Sequence, residues 1–119
     1  MKELPALVNA IINGIQEKKG QKIVVADLRE IDGTIASYFV ICQGNSPTQV
    51  EAITDAVIES ARKEVKEKPL HIVGLGTSQW VAIDFNDTFV HIFLPEPREF
   101  YDLENLWQDA KMTQIPDLD

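Results

Sequence analysis

The chain of 119 residues is 45% hydrophobic and 25% charged, a balance that excludes an intrinsically disordered protein. This length predicts one domain that spans residues 1–119. The formal net charge of −8 argues against a protein that grips nucleic acid by its phosphates, because that mode needs a concentrated surface of lysine and arginine. A basic protein is the better expected partner, without direct sequence-specific contact to nucleic acid.

The cysteine content and the N-terminal residues both favour a protein that stays in the cytoplasm. Cys42 is the single cysteine, so neither an intrachain disulfide nor a zinc site made of thiolates can form. The residues after Met1 lead into an amphipathic stretch rather than into the apolar core of a signal peptide. No run approaches the roughly 18 apolar residues of a membrane-spanning helix, so no membrane association is expected.

The first third of the chain is predicted to form a helix and two strands. Apolar residues recur at helical spacing over residues 3–19, and Lys18-Lys19-Gly20 supplies late positive charge and a glycine stop. Residues 22–28 and 38–42 are rich in valine, isoleucine and aromatic residues, and Asp32-Gly33 between them is a turn signal. The two strands are therefore expected to be antiparallel neighbours.

The start of a second helix is the clearest local signal in the chain. Ser46 is an N-cap residue, Pro47 suits the first helical position, and Gln49 completes a capping box. Apolar residues then recur on one face until residues 66–69 end the run. The Gly44-Asn45-Ser46 turn could also hold a phosphate on its backbone N–H groups, although helix capping alone explains these residues.

Three short strands and a final helix complete the predicted order. Residues 70–73, 79–85 and 88–94 have strand character, and Asn86-Asp87 joins the last two in a tight hairpin. Prolines 95 and 97 stop the strand, and apolar residues at helical spacing over 100–110 predict a short helix before a polar tail. The order αββαβββα predicts an α/β fold, with helices packed on a mixed five-stranded sheet.

The predicted hairpin has two faces of different character. A two-residue turn at Asn86-Asp87 places Trp80 opposite Phe93. The aliphatic face, which suits a helix-covered core, carries Val81, Ile83, Phe85, Val90, Ile92 and Leu94. The mixed face carries Trp80, Ala82, Asp84, Phe89, His91 and Phe93. This second face is either covered by the C-terminal helix, with Asp84 and His91 as a diagonal ion pair, or exposed as a recognition surface.

Residues suited to catalysis do not occur in a working combination. A nucleotidyltransferase needs two or three carboxylates on adjacent strands to hold divalent metal ions, and only Asp27 and Asp84 could serve. Cys42 lies mid-strand and is expected to be a small buried hydrophobe. His71 and His91 lack the spacing of metal ligands. We therefore expect no enzyme, metal or cofactor, and keep a residual nucleotide-binding or nucleotidyltransferase enzyme as the alternative.

Taken in order, these segments resemble the ribosomal silencing factor family, also called Iojap, over essentially the whole chain. The resemblance is carried by Asp27-Leu28, residues 38–42 and 44–46, Gln49-Val50, residues 80–84 and 90–93, and residues 98–104 with Leu106-Trp107. The segments after the Trp80 strand are the most specific. Two acids that family members often carry are replaced here by Ser37 and Val73, so any role resting on those acids is in doubt.

The resemblance implies a nucleotidyltransferase-like fold without catalytic carboxylates. It also implies binding to the large ribosomal subunit through a basic large-subunit ribosomal protein, number fourteen of that subunit. A factor bound there blocks joining of the small subunit and represses translation when nutrients are limiting. The missing carboxylate pair and the acidic net charge both agree with such a protein.

The binding face is expected on the hairpin and on the segment that follows it. The predicted partner-binding residues are Trp80, Asp84, His91, Phe93, Arg98, Tyr101, Asp102 and Glu104. We expect the three aromatic rings to be apolar anchors, the acids to face basic residues, and His91 to orient Asp84. Residues 95–119 hold −5 of the net charge and are either a solvated tail or part of this surface. An exposed aromatic patch could also form a homodimer when the ribosome is absent.

Overall fold

A computed structural model describes residues 4–31, 36–102, 105 and 110–117. Within these residues the chain forms three helices and one six-stranded sheet. The elements in chain order are α1 (Ala6–Glu17), β1 (Gln21–Asp27), β2 (Tyr38–Gln43), α2 (Pro47–Val65), β3 (His71–Val73), β4 (Trp80–Asp84), β5 (Thr88–Phe93), α3 (Pro95–Tyr101) and β6 (Lys111–Ile115). The predicted Asp32-Gly33 turn lies outside the described residues.

The strands lie side by side in the order β3-β4-β5-β2-β1-β6. Strands β2 and β5 pair in parallel, and the other four neighbouring pairs are antiparallel. The predicted mixed α/β architecture and the antiparallel pairing of β1 with β2 are confirmed. The count of five strands is wrong, because residues 111–115 pair with β1 as a sixth, edge strand. Four of its five side chains are exposed, so the strand has no apolar face that the sequence could reveal.

The main hydrophobic core lies between one face of the sheet and the helices α1 and α2. The two helices approach so closely that a Cβ atom on Gly14 would lie 2.7 Å from the backbone oxygen of Ala56. Only glycine permits this packing distance. The fully buried side chains of the core include Val8, Ile11, Ile15, Val40, Ile53, Val57, Ile83, Val90 and Ile92.

The predicted start of α2 is confirmed, with one difference in the capping box. The Ser46 hydroxyl accepts a hydrogen bond from the Gln49 N–H at 3.1 Å, and Pro47 occupies the first helical position. The Gln49 side chain accepts from the Asn45 N–H at 2.7 Å, one residue earlier than in a standard capping box. Its amide also donates to the carbonyls of Lys18 and Lys19, so the helix start is tied to the end of α1.

The hairpin formed by β4 and β5 has the predicted register. Trp80 pairs with Phe93, and Ala82 pairs with His91. Asn86 adopts a φ of 83°, which asparagine tolerates better than most residues and which the tight turn requires. The predicted aliphatic face of this hairpin therefore points into the core beneath α1 and α2.

The last helix starts earlier than predicted. It begins at Pro95 and ends at Tyr101, and Asp102 follows in the left-handed conformation with a φ of 48°. Pro95 and Pro97 were expected only to stop β5, but a proline is equally suited to the first turn of a helix. The predicted helix over residues 100–110 is wrong at its start, and Leu103, Leu106 and Trp107 lie outside the described residues. No helix in the described ranges is long and apolar enough to cross a membrane.

Candidate aromatic recognition surface

The face of the sheet turned away from α1 and α2 carries a continuous group of aromatic rings. Trp80 stacks on Phe93 with ring centroids 5.1 Å apart, and Tyr101 of α3 packs against Trp80 at 4.5 Å. Phe100 contacts Tyr101 edge to face at 5.1 Å. We define the aromatic face as Phe39, Trp80, Phe89, His91, Phe93, Phe100 and Tyr101, which are linked by successive ring contacts.

The rings of the aromatic face differ strongly in exposure. Phe100 and Tyr101 retain 80% and 47% of their possible exposed area, and Trp80 is half-buried. Phe93 is 1% exposed, so its predicted role as an anchor for a partner is wrong. Its ring packs beneath the indole of Trp80. The accessible aromatic contacts are therefore concentrated where β4 meets α3.

His91 is bonded to Trp80 rather than to Asp84. The indole N–H donates to Nδ1 of His91 at 3.0 Å. Burial lowers the pKa of His91 to about 4, so the imidazole is neutral near pH 7 and cannot form the predicted ion pair. Both expectations that linked His91 to Asp84 are wrong, because an imidazole buried among aromatic rings is more stable neutral.

Asp84 instead bonds at the outer end of the hairpin. Its Oδ1 accepts from the Asn86 N–H at 2.7 Å, and its Oδ2 lies 3.6 Å from Nδ1 of His71 on the edge strand. The carboxylate is about a quarter exposed. It remains accessible beside the aromatic face, as the predicted contact with a basic partner requires.

Arg98 holds α3 against the sheet. Its guanidinium is buried, and Nη1 donates to the backbone oxygen of Lys22 at 2.7 Å and lies 3.4 Å from Oε1 of Gln43. Lys22 sits at a β-bulge with a φ of 51°, which turns its carbonyl toward the helix. Arg98 was predicted among the partner-binding residues, but its burial gives it a supporting role in fixing α3.

Acidic residues lie on and directly after α3, the helix that carries Phe100 and Tyr101. Asp102 ends α3, and both of its carboxylate oxygens accept from the side-chain amide of Asn105, at 2.9 and 2.8 Å. Glu96 and Glu99 line a groove between α3 and the start of α2, together with Asn45, Thr77, Gln79, Trp80 and Phe100. Glu104, the remaining predicted site residue, lies outside the described residues.

Sequence reasoning missed several residues of this surface. Phe100 was assigned to the apolar side of a helix, yet it is the most exposed ring of the aromatic face. Phe39 joins the face through His91, with centroids 5.0 Å apart. Val73 of β3 pairs with Ala82 and is 61% exposed beside the hairpin. The alternation of β2 could have placed Phe39 there, because β2 pairs with β5 residue by residue.

The two strand acids considered for metal binding lie far apart. Asp27 on β1 and Asp84 on β4 are separated by three strand spacings, about 14 Å, which is too far to share metal ions. Asp27 is instead bound by Arg29, with a closest distance of 2.8 Å. Among the described residues, no group of three or more histidine, cysteine, aspartate or glutamate side chains could hold a metal ion.

The Gly44-Asn45-Ser46 turn and Cys42 both have structural roles in place of a phosphate site or a reactive thiol. At the turn, the N–H groups of Asn45 and Gln49 bond to side chains of the chain itself. Cys42 is fully buried, and burial raises the pKa of its thiol to about 12, so it stays protonated near pH 7. The predicted role of Cys42 as a small buried hydrophobe is confirmed.

Fold and surface together define a small mixed α/β protein that presents aromatic rings bordered by acids, an arrangement suited to binding another macromolecule. Comparison with known families makes this class specific. The model of the family described as "Ribosomal silencing factor during starvation" matches residues 1–119, and the chain belongs to that family. The resemblance drawn from the residue pattern is thus confirmed.

Individual relatives agree with this assignment. The chain is 34% identical to "Ribosomal silencing factor RsfS" of Halalkalibacterium halodurans, over 92% of each chain. It is also 34% identical to "Protein Iojap, chloroplastic" of Zea mays, over 66% of this chain and 34% of that protein. A crystal structure of a Chromobacterium violaceum protein superposes with a TM-score of 0.81 at 27% identity, covering 89% of this chain and 87% of the other.

Proposed function

We propose that the chain is a ribosomal silencing factor that binds the large ribosomal subunit and blocks joining of the small subunit. Its contact on the ribosome is a basic large-subunit ribosomal protein, number fourteen, and the effect is repression of translation in the cytoplasm under nutrient limitation. A mouse relative, 33% identical over 66% of this chain, is named "Mitochondrial assembly of ribosomal large subunit protein 1", which supports the large subunit as the target.

The observation that carries this proposal is the exposed end of the aromatic face. Phe100, Tyr101 and Trp80 form one contiguous apolar surface at the junction of β4 and α3. Aromatic side chains of this kind supply much of the binding energy at protein interfaces, about 2 kcal/mol or more for each central anchor. We therefore assign the partner contact to Trp80 and Tyr101, with Phe100 beside them.

Charge supports a basic partner. Asp102 directly follows Tyr101, Glu96 and Glu99 line the groove that Trp80 and Phe100 also line, and Asp84 lies at the other end of β4, where it pairs with Phe89. Such an acidic border accelerates encounter with a positively charged protein and disfavours approach to bare RNA phosphates. The charge of this surface therefore suits contact with a basic ribosomal protein better than contact with ribosomal RNA.

The test is binding of purified large subunits by the Trp80→Ala variant. We expect at least tenfold weaker binding in sedimentation with large subunits, while the thermal melt remains cooperative. Met112→Ala is the matched control, because it removes an exposed apolar side chain at the opposite edge of the sheet. Unchanged binding by Trp80→Ala would exclude this surface as the binding face, and a wild-type protein that does not bind purified large subunits would exclude the proposed function.

We further propose that the chain acts without catalysis, as a single domain over residues 1–119 whose fold is nucleotidyltransferase-like but lacks the catalytic carboxylates. The separation of Asp27 from Asp84 and the occupied turn at Asn45 support this proposal. Titration calorimetry with ATP or CTP and magnesium tests it. Heat of binding at millimolar nucleotide would revive the alternative of a residual nucleotide-binding enzyme.

We propose that the free protein hides the same surface by forming a homodimer. Phe100 and Tyr101 are exposed side by side, and a contiguous aromatic patch favours self-association when its partner is absent. Light scattering across a concentration series tests this, with Tyr101→Ala as the comparison. A monomer at all concentrations, for both proteins, would remove the homodimer from the proposal.

A further inference from the structure

The orientation of Trp80 depends on a residue that lies beneath it. The indole contacts the rings of both Phe93 and Tyr101, which restrict its plane. These ring contacts do not determine which edge of the indole points into the protein. The hydrogen bond from the indole N–H to Nδ1 of His91, at 3.0 Å, is directional and specifies that edge.

His91 itself cannot meet a partner directly. It is 7% exposed and lies among aromatic rings, with centroids 5.0 Å from Phe39 and 6.2 Å from Phe93. Any effect of His91 on binding must therefore pass through the rings that cover it. Trp80 is the covering ring to which it is hydrogen-bonded.

Folding stability alone does not explain a histidine at this position. Because Nδ1 accepts the indole N–H, the neutral ring carries its proton on Nε2. Nε2 is buried and has no hydrogen-bond partner among the described residues. A buried donor without a partner is destabilising, and an apolar side chain of similar size would avoid that cost. A leucine at this position, however, would provide no hydrogen-bond acceptor for the indole N–H of Trp80.

We propose that His91 is a positioning residue for Trp80, whose acceptor nitrogen holds the indole in the orientation presented to the partner. This inference rests on the proposed function for its binding consequence. The orientation itself is a property of the free protein and can be measured without a partner. Preorganising one large ring saves the cost of ordering it on binding, which strengthens the complex.

The first experiment measures the indole in the free protein. Trp80 is assigned in nitrogen–proton NMR spectra with the help of a Trp107→Phe variant. In His91→Leu the indole N–H resonance should shift upfield, and its exchange with water should become at least tenfold faster. In His91→Asn an oxygen can replace Nδ1 as the acceptor, so exchange should return to within about threefold of wild type. Equal exchange in His91→Leu and wild type would overturn the proposal.

The second experiment measures binding to purified large subunits. His91→Leu should bind at least fivefold more weakly although its melting temperature equals or exceeds that of wild type, and His91→Asn should recover binding. A purely structural histidine would change stability and binding together. In a Trp80→Phe background, which lacks the indole N–H, His91→Leu should change binding less than twofold.

The outcomes separate this inference from the proposed function. If Trp80→Ala weakens binding but His91→Leu does not, the positioning role is overturned and the recognition surface stands. If Trp80→Ala binds as wild type does, the assigned binding face is excluded, and if wild type itself does not bind large subunits, the proposed function fails. In both cases the exchange rate of the indole still decides whether His91 holds Trp80. An additive effect of His91→Leu in the Trp80→Phe background would also overturn the positioning role.

Discussion

The two faces of the β4–β5 hairpin are built from the same two strands but differ in side-chain character and in what covers them. On the covered face, Ile83 and Val90 are fully buried beneath the helices. On the aromatic face, half-buried Trp80 lies over Phe93, and the exposed rings of α3 lie beside it. Alternation along a strand thus places core residues and residues of the proposed recognition surface one position apart.

The proposed recognition surface is supported by buried residues although its outer rings are exposed. The exposed rings rest on buried residues that fix them, Phe93 beneath Trp80 and Arg98 within α3. The covered face is stabilised by packing alone, whereas the aromatic face needs specific hydrogen bonds to hold large side chains in place. Substitutions should therefore separate stability from binding according to the face they alter.

The largest expected effect is on the covered face. Ile83→Ala should lower the free energy of unfolding by about 2–5 kcal/mol, because it leaves a cavity in the main core. Urea unfolding measures this value. Val73→Ala, an exposed aliphatic residue on the neighbouring edge strand, is the control and should change stability by less than about 0.5 kcal/mol. Equal losses would contradict the division between the two faces.

The next largest expected effect is a loss of folding stability at acidic pH, caused by protonation of the buried His91 imidazole. The pKa of His91 is lowered by burial to about 4 from 6.5, so the folded state binds fewer protons than the unfolded state between these values. The contribution of His91 to the free energy of unfolding is then fully present above about pH 6.5. It is lost as the pH drops toward 4, by about 3 kcal/mol in total for this shift. The difference between the stability curves of wild type and His91→Leu isolates this contribution from that of the carboxylates. Parallel curves would show that His91 titrates normally.

A smaller effect is expected from the aromatic face itself. Tyr101→Ala should weaken binding to large subunits about tenfold, or about 1.4 kcal/mol, since it removes an exposed ring that also supports Trp80. Its melting temperature should change little because the side chain is half exposed. Leu70→Ala removes an exposed apolar group at the outer edge and should bind as wild type does. Comparable weakening by both variants would show that the interface extends over β3.

Much of the fold could be predicted because its signals are local. The cap at Ser46 and the turn at Asn86 each determine a start or a register within a few residues. Strand β6 could not be found in this way, because it pairs with β1, whose residues are far away in the sequence. The start of α3 was missed because Pro95 suits both the end of a strand and the start of a helix.

The clustering of the candidate site's side chains was predicted from the sequence, but their burial and hydrogen bonds were not. Alternation placed Trp80, His91 and Phe93 on one face, and the structure confirms that they lie together. Sequence could not reveal that Phe93 and His91 are covered by Trp80, because burial here depends on how rings stack across strands. The burial of Arg98 was equally hidden, since it requires the bulge at Lys22 to present a carbonyl.

The smallest expected effect concerns the acids beside the aromatic face. Asp84→Asn keeps the size and the hydrogen-bond acceptor for Asn86 but removes the charge. We expect large-subunit binding to weaken about two- to fivefold at low salt, and the difference to shrink at high salt because screening weakens exposed charge pairs. Glu59→Gln on the helix-covered side removes one charge from an exposed ion pair and should leave binding unchanged. An Asp84→Asn effect that is independent of salt would mean that Asp84 acts through local structure rather than through charge.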